Sequence, residues 1–158
     1  MAQGADLIAA IERAAQAFAT LVEGLSNEQF HRRPAAGEWS AAEITGHVSE
    51  APLTFAQHAQ RVVAAGGGTV GRAPDDPGRL SAVERLAGRG PQEGAQLVRE
   101  GAAEACAIVR GFSEADLALR VSNPRLGEQP LYEFMWAVAV EHLEGHLRQA
   151  QAAAESKA

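Results

Sequence analysis

Apolar residues recur three and four positions apart in four stretches of this chain, and no alternating segment is long enough to compete as a strand. Helices with one apolar face each must bury that face against another helix, so this period restricts the fold most. The first stretch runs from about Ala5 to Glu23, with Leu7, Ile11, Ala14, Phe18 and Val22 on one face, and stops at Gly24. The second opens at "WSAAE", where Ser40 and Glu43 form a capping box, and continues over 40–65 with Ile44, Val48, Phe55 and Val62 inward. Pro91 suits the first turn of the third, over 91–110. The fourth covers 131–154.

Long connections separate these helices. Residues 66–90 hold seven glycines and two prolines around the helical turn "SAVERLA", with Ser81 capping toward Glu84. A mobile excursion of this kind often covers a site. A faint repeat, "GLSNEQF" at 24–30 and "GFSEADL" at 111–117, follows the first and third helices and supports pairing the four helices two by two. The expectation is an all-α four-helix bundle with long connections, one domain over residues 1–158.

Composition narrows the function. The chain carries net charge −6, and its thirteen arginines and one lysine are scattered, with no basic stripe among aromatics, so nucleic acid is not the expected partner. The longest apolar run, Phe134 to Val140, is far short of a membrane span, and the N-terminus lacks a basic start. A cytoplasmic protein with no membrane partner is expected. The single cysteine, Cys106, excludes an internal disulfide and a multi-cysteine zinc site, and reads as packing.

Chemistry concentrates in "EHLEGHLRQ", residues 141–149. At 100° per residue, Leu131, Met135, Val138, His142, His146 and Gln149 fall within about 40° of His142, so two histidines continue a core-facing stripe. Spacing of i, i+4 brings both rings within reach of one metal ion. The competing reading makes one imidazole a core residue with a polar partner and leaves the other at the surface. On the second helix, His47 lies at the edge of the apolar face and is the candidate third ligand. Glu50 and Thr54 nearby read either as substrate-facing groups or as solvated surface, and Pro52 frees the Val48 carbonyl and can kink the helix. His58 lies about 16 Å further along the axis and cannot share the ion, and His31 falls in a loop. A zinc-protease pattern fails because Leu143 follows His142, and a ferritin-like pattern fails because Ala139, Leu143 and Ile44, not Glu, stand three residues before His142, His146 and His47.

"GEWSAAEITGHVSE", followed about ninety residues later by "AVEHLEGHLRQ", resembles the DinB-like (DinB/YfiT-like) superfamily over nearly the whole chain. The resemblance implies a divalent ion, zinc or nickel, on His47, His142 and His146. Family members include transferases and isomerases that use low-molecular-weight thiols such as bacillithiol, mycothiol or glutathione. The function this implies is that of a metal-dependent S-transferase acting on a small molecule with a thiol cosubstrate, in stress response or detoxification. A metal-dependent hydrolase and a non-catalytic metal- or ligand-binding module stay open beside it. No catalytic residue beyond the ligands is assigned.

The last helix also carries Tyr132, Trp136, Val140, Leu143 and Leu147 on a second apolar face. An arc that wide exceeds one buried stripe, and a homodimer is the expected consequence.

Overall fold

The computed structural model describes residues 2–157. Every predicted amphipathic stretch forms a helix, and local chemistry sets the ends. The four long helices are α1 (Ala2–Glu23), α3 (Ala41–Ala65), α5 (Pro91–Val109) and a last rod. That rod joins α7 (Leu131–Met135), a π-helical segment (Trp136–Glu141) and α8 (His142–Glu155). Ser40 caps α3 as expected: its hydroxyl accepts from the Glu43 N–H, and the Glu43 carboxylate accepts from the Ser40 N–H at 2.8 Å. Gly66, at φ 75, ends α3 in the left-handed conformation that glycine adopts without strain. The helix runs on through Pro52, which is buried.

The repeat forms two matching junctions. α2 (Asn27–His31) and α6 (Glu114–Ala118) are single helical turns, each with a complete capping box, from Ser26 to Gln29 and from Ser113 to Asp116. Their closing apolar residues, Phe30 and Leu117, are fully buried. Each junction turns the chain from one long helix toward the next.

The helices do not pair as the repeat suggests. α1 and α3 each pack on both α5 and the last rod, whereas α1 with α3, and α5 with α8, make no substantial contact among the described residues. Around the bundle the order is therefore α1, α5, α3, α8. Helices joined through a capped turn sit across a diagonal, which short loops could not achieve. The arrangement sets α3 beside α8, the two histidine-bearing helices.

The sequence pattern predicts no strand, but three short ones occur among the described residues: β1 (Gly68–Thr69), β2 (Arg120–Asn123) and β3 (Gly127–Pro130). β2 and β3 form an antiparallel hairpin, and β1 pairs parallel to β2 with Gly68 opposite Val121. Ladders this short carry no alternation to read, because their hydrogen bonds join connections about fifty residues apart. The 66–90 connection also holds α4 (Pro77–Glu84), which starts earlier than expected. Asp76, not Ser81, is its cap and accepts from the Arg79 N–H at 3.0 Å, with Pro77 in the first turn.

Of the second apolar face on the last rod, Val140 and Leu143 are buried within the chain's own core, and Tyr132, Trp136 and Leu147 are half-buried against it. Among the described residues no helix is long and apolar enough to cross a membrane.

Candidate metal centre

Three local features aim the histidines. The capping box at Ser40 starts α3 so that His47, two turns in, faces α8. Gly46 presents a bare Cα to α4, where a Cβ would lie 2.2 Å from the Ala82 carbonyl oxygen, so α4 closes down beside His47. On the last rod the His142 N–H bonds the Ala137 carbonyl, an i to i−5 contact that widens the turn just before the first ligand.

The result is a convergence of three nitrogens. His142 Nε2 lies 3.1 Å from His47 Nε2 and 3.0 Å from His146 Nε2. All three residues could ligate one ion, their ligand atoms lying within 4.8 Å of one another. Metal–nitrogen bonds of about 2.0–2.1 Å place neighbouring ligand atoms roughly 3 Å apart, the spacing that His142 Nε2 keeps to each of the other two. Hydrogen bonding among the rings cannot account for it, because each imidazole nitrogen offers either one hydrogen or one lone pair. With three nitrogens facing one point, at least one stays unsatisfied unless a cation takes their lone pairs.

Electrostatics keeps those lone pairs free. Burial is the largest cause holding the His47 imidazole down to about 2 and that of His142 to about 3, with the neighbouring rings and the Arg72 and Arg79 guanidiniums adding to it. Burial also lowers His146, against a raising contribution from Gln149. All three are neutral near pH 7, as ligation requires. His146 Nδ1 lies 2.7 Å from Gln149 Oε1, so its proton sits on Nδ1 and Nε2 points inward. Nδ1 of His47 and of His142 is buried with no hydrogen-bond partner among the described residues. Trp39 walls the cluster, its ring 5.5 Å from that of His47 and stacked 6.4 Å from that of His146.

Beside the triad opens a cavity of about 600 Å³, with Phe55, Val70 and Val138 among its apolar walls and Arg72, Arg79 and Arg125 among its polar ones. Nothing in the sequence singles out these three among thirteen dispersed arginines. They meet here because β1 pairs with β2: the Val70 N–H donates to the Ser122 carbonyl, and Asn123 Nδ2 donates to the Val70 carbonyl.

Glu50 and Thr54 are neither solvated surface nor turned to the triad. Glu50 accepts from both terminal nitrogens of Arg72, at 2.6 and 2.7 Å, and the Thr54 hydroxyl donates to the same carboxylate. The other two histidines stay apart from the cluster. His31 ends α2 rather than lying in a loop, exposed and 2.7 Å from the Arg89 carbonyl, and His58 is half-buried elsewhere on α3. Cys106 is buried, and burial pushes its thiol up to about 11, an inert packing residue as expected.

Solved structures share the fold of this chain. YfiT from Bacillus subtilis, described as a probable metal-dependent hydrolase with an unusual four-helix bundle topology, superposes with a TM-score of 0.74. Identity is 13%, over 95% of this chain and 85% of that one. A mycothiol-dependent maleylpyruvate isomerase superposes at 0.67 with 12% identity, over 97% of this chain but only 60% of the isomerase. No curated protein matches the sequence. The family model of the DinB superfamily matches residues 10–150, and the chain belongs to that superfamily.

Proposed function

We propose that the protein is a metal-dependent S-transferase that joins a low-molecular-weight thiol to a small electrophile, in stress response or detoxification. The observation that carries this reading is the convergence of three neutral imidazole nitrogens at the wall of a cavity. Three ligands leave positions open to small molecules, the pattern of a catalytic rather than a structural site. A bound zinc or nickel ion would supply Lewis acidity that lets a thiol shed its proton near neutral pH. The chain's own groups do the rest. His47, His142 and His146 hold, Gln149 fixes a tautomer, and Trp39 with the apolar walls limits water. No cysteine lines the cavity among the described residues, so the sulfur comes from a cosubstrate.

The hydrolase reading has the description of YfiT in its favour. Against it, no carboxylate lines the cavity among the described residues, so an attacking water finds no general base of that kind at hand. We place the activity in the cytoplasm, where such thiols are kept reduced. Tyr132, Trp136 and Leu147 are the residues a second copy would cover in the homodimer we propose; a monomer mass by light scattering would remove that part.

Metal analysis of the wild type and the three single histidine-to-alanine variants tests the centre. About one ion per chain is expected, lost in each variant; equal content in all four would sink it. A panel of bacillithiol, mycothiol, glutathione and coenzyme A against a chlorinated aromatic tests the chemistry. Turnover of esters or amides but of no thiol would favour the hydrolase, and no turnover at all the non-catalytic binding module.

A further inference from the structure

The cavity's charge is out of keeping with the chain's. The protein is acidic overall, at net −6, yet three guanidiniums and no carboxylate line the space beside the triad among the described residues. Even with the two carboxylates that flank Arg72 from behind, Glu50 and Asp76, three positive charges against two negative leave one positive charge there.

Arg72 is the built part of this surface. Its side chain is 7% exposed, and Glu50 holds Nη1 and Nη2, the end of the planar fork. The other edge of a guanidinium, Nε with the second hydrogen of Nη2, is the pair that receives a carboxylate side-on. Among the described residues nothing bonds Arg72 Nε. Arg79 lies over Trp39 at 4.9 Å and donates to the Pro74 carbonyl, and neither it nor Arg125 has a carboxylate partner among the described residues. Apolar Phe55, Val70 and Val138 complete the wall.

We propose that this cavity binds a small organic carboxylate, with its anionic end on the free edge of Arg72 and its apolar body against Phe55, Val70 and Val138. Arg79 and Arg125 supply the surrounding positive field, and the atom to be attacked faces the triad. The inference rests on the reading of the triad as the reacting centre and names the class of electrophile: an organic acid. Glu50 acts through Arg72, holding the guanidinium so that little ordering remains on binding.

Calorimetric titration with benzoate and benzamide, probes of like size and different charge, tests this on zinc-loaded and on metal-free protein. Benzoate binds both forms, and benzamide binds at least about tenfold more weakly, the factor that hydrogen bonds to a charged group carry. Arg125→Gln, whose side chain has no ion pair to lose, weakens benzoate severalfold; Arg72→Met weakens it about tenfold or more. Because Arg72→Met strands the Glu50 charge, the double variant Glu50→Gln with Arg72→Met is measured beside it. Equal binding of the two probes, or affinity for benzoate within about twofold of wild type in all three variants, overturns the proposal. So does inorganic phosphate binding where benzoate does not. Zinc content, measured on the same samples, separates the two readings. Protein that binds benzoate but no zinc removes the metal centre and keeps the carboxylate site, and protein that binds zinc but no benzoate does the reverse.

Discussion

Helix α3 makes two seams that differ in kind. Toward α5 it meets glycine: a Cβ on Gly101 would lie 2.0 Å from the Ser49 carbonyl oxygen, and one on Gly94 would lie 3.0 Å from both Phe30 and Thr45 side chains. Toward α8 it meets imidazoles, which hold the backbones apart and leave a cavity. Ser49, at the closed seam, is two residues from His47, at the open one. One helix thus carries a rigid contact and a chemical one on neighbouring faces, and the first gives the second a fixed wall to work from.

The largest effect expected from breaking that contrast falls on the closed seam. Gly101→Ala drives a methyl into a backbone carbonyl that cannot rotate away, and overpacking of this kind costs about 1–3 kcal/mol, sometimes more. For a chain of this length that lowers Tm by roughly 3–10 °C. Thermal unfolding checks it, and an unchanged Tm would show that the two helices are free to separate.

The open seam answers to pH instead. His47, His142 and His146 titrate in the folded protein below their ordinary value of 6.5, burial being the first cause. The unfolded chain therefore takes up protons near 6.5 that the folded chain refuses, and stability, complete above that value, falls as pH falls toward the folded values. The slope is about 1.4 kcal/mol per pH unit for each histidine that stays neutral. His58, also lowered by burial, adds to the same window, so the share of His142 is read as the difference between wild type and His142→Ala, both metal-free. Parallel Tm profiles for the two proteins between about pH 7 and 5 would contradict the linkage.

These seams also mark where the sequence was legible. The helices, the Ser40 cap and the His142–His146 pair are local: period, cap and spacing are written within a few residues. His47 was legible as a candidate because it sits on the edge of a readable face. The diagonal packing was not, since two capped turns look alike whether the helices they join end up adjacent or opposed. Nor were Arg72 and Arg125 legible as neighbours. Their meeting depends on Gly68 and Thr69 pairing with Val121 and Ser122, a ladder of two residues whose partners are remote in sequence.

A smaller effect is expected where the open seam is tuned rather than built. Gln149 fixes the His146 tautomer from outside the triad, through the 2.7 Å contact to Nδ1. Gln149→Ala should weaken metal binding by about tenfold, the lower end for loss of a partner behind a ligand, with the helix intact. Competition with a coloured chelator reads this directly. Affinity equal to wild type would mean that His146 is oriented by packing against Trp39 alone.

The smallest effect separates the two seams most sharply, because it makes in one the substitution that damages the other. Gly145 lies between His142 and His146 in sequence, and a Cβ there would have Arg148 Nη2, 3.9 Å away, as its nearest neighbour, at the tip of a flexible side chain. It has no left-handed φ, so an L side chain meets no backbone strain. Alanine at a helical position is favoured over glycine by about 0.8–1.0 kcal/mol, and nothing at this site opposes it. Gly145→Ala should therefore raise Tm by about 2–4 °C and leave metal content unchanged. A fall in Tm, or loss of the ion, would place Gly145 against something it does not touch in this structure, such as a second copy of the chain or a substrate entering past the triad.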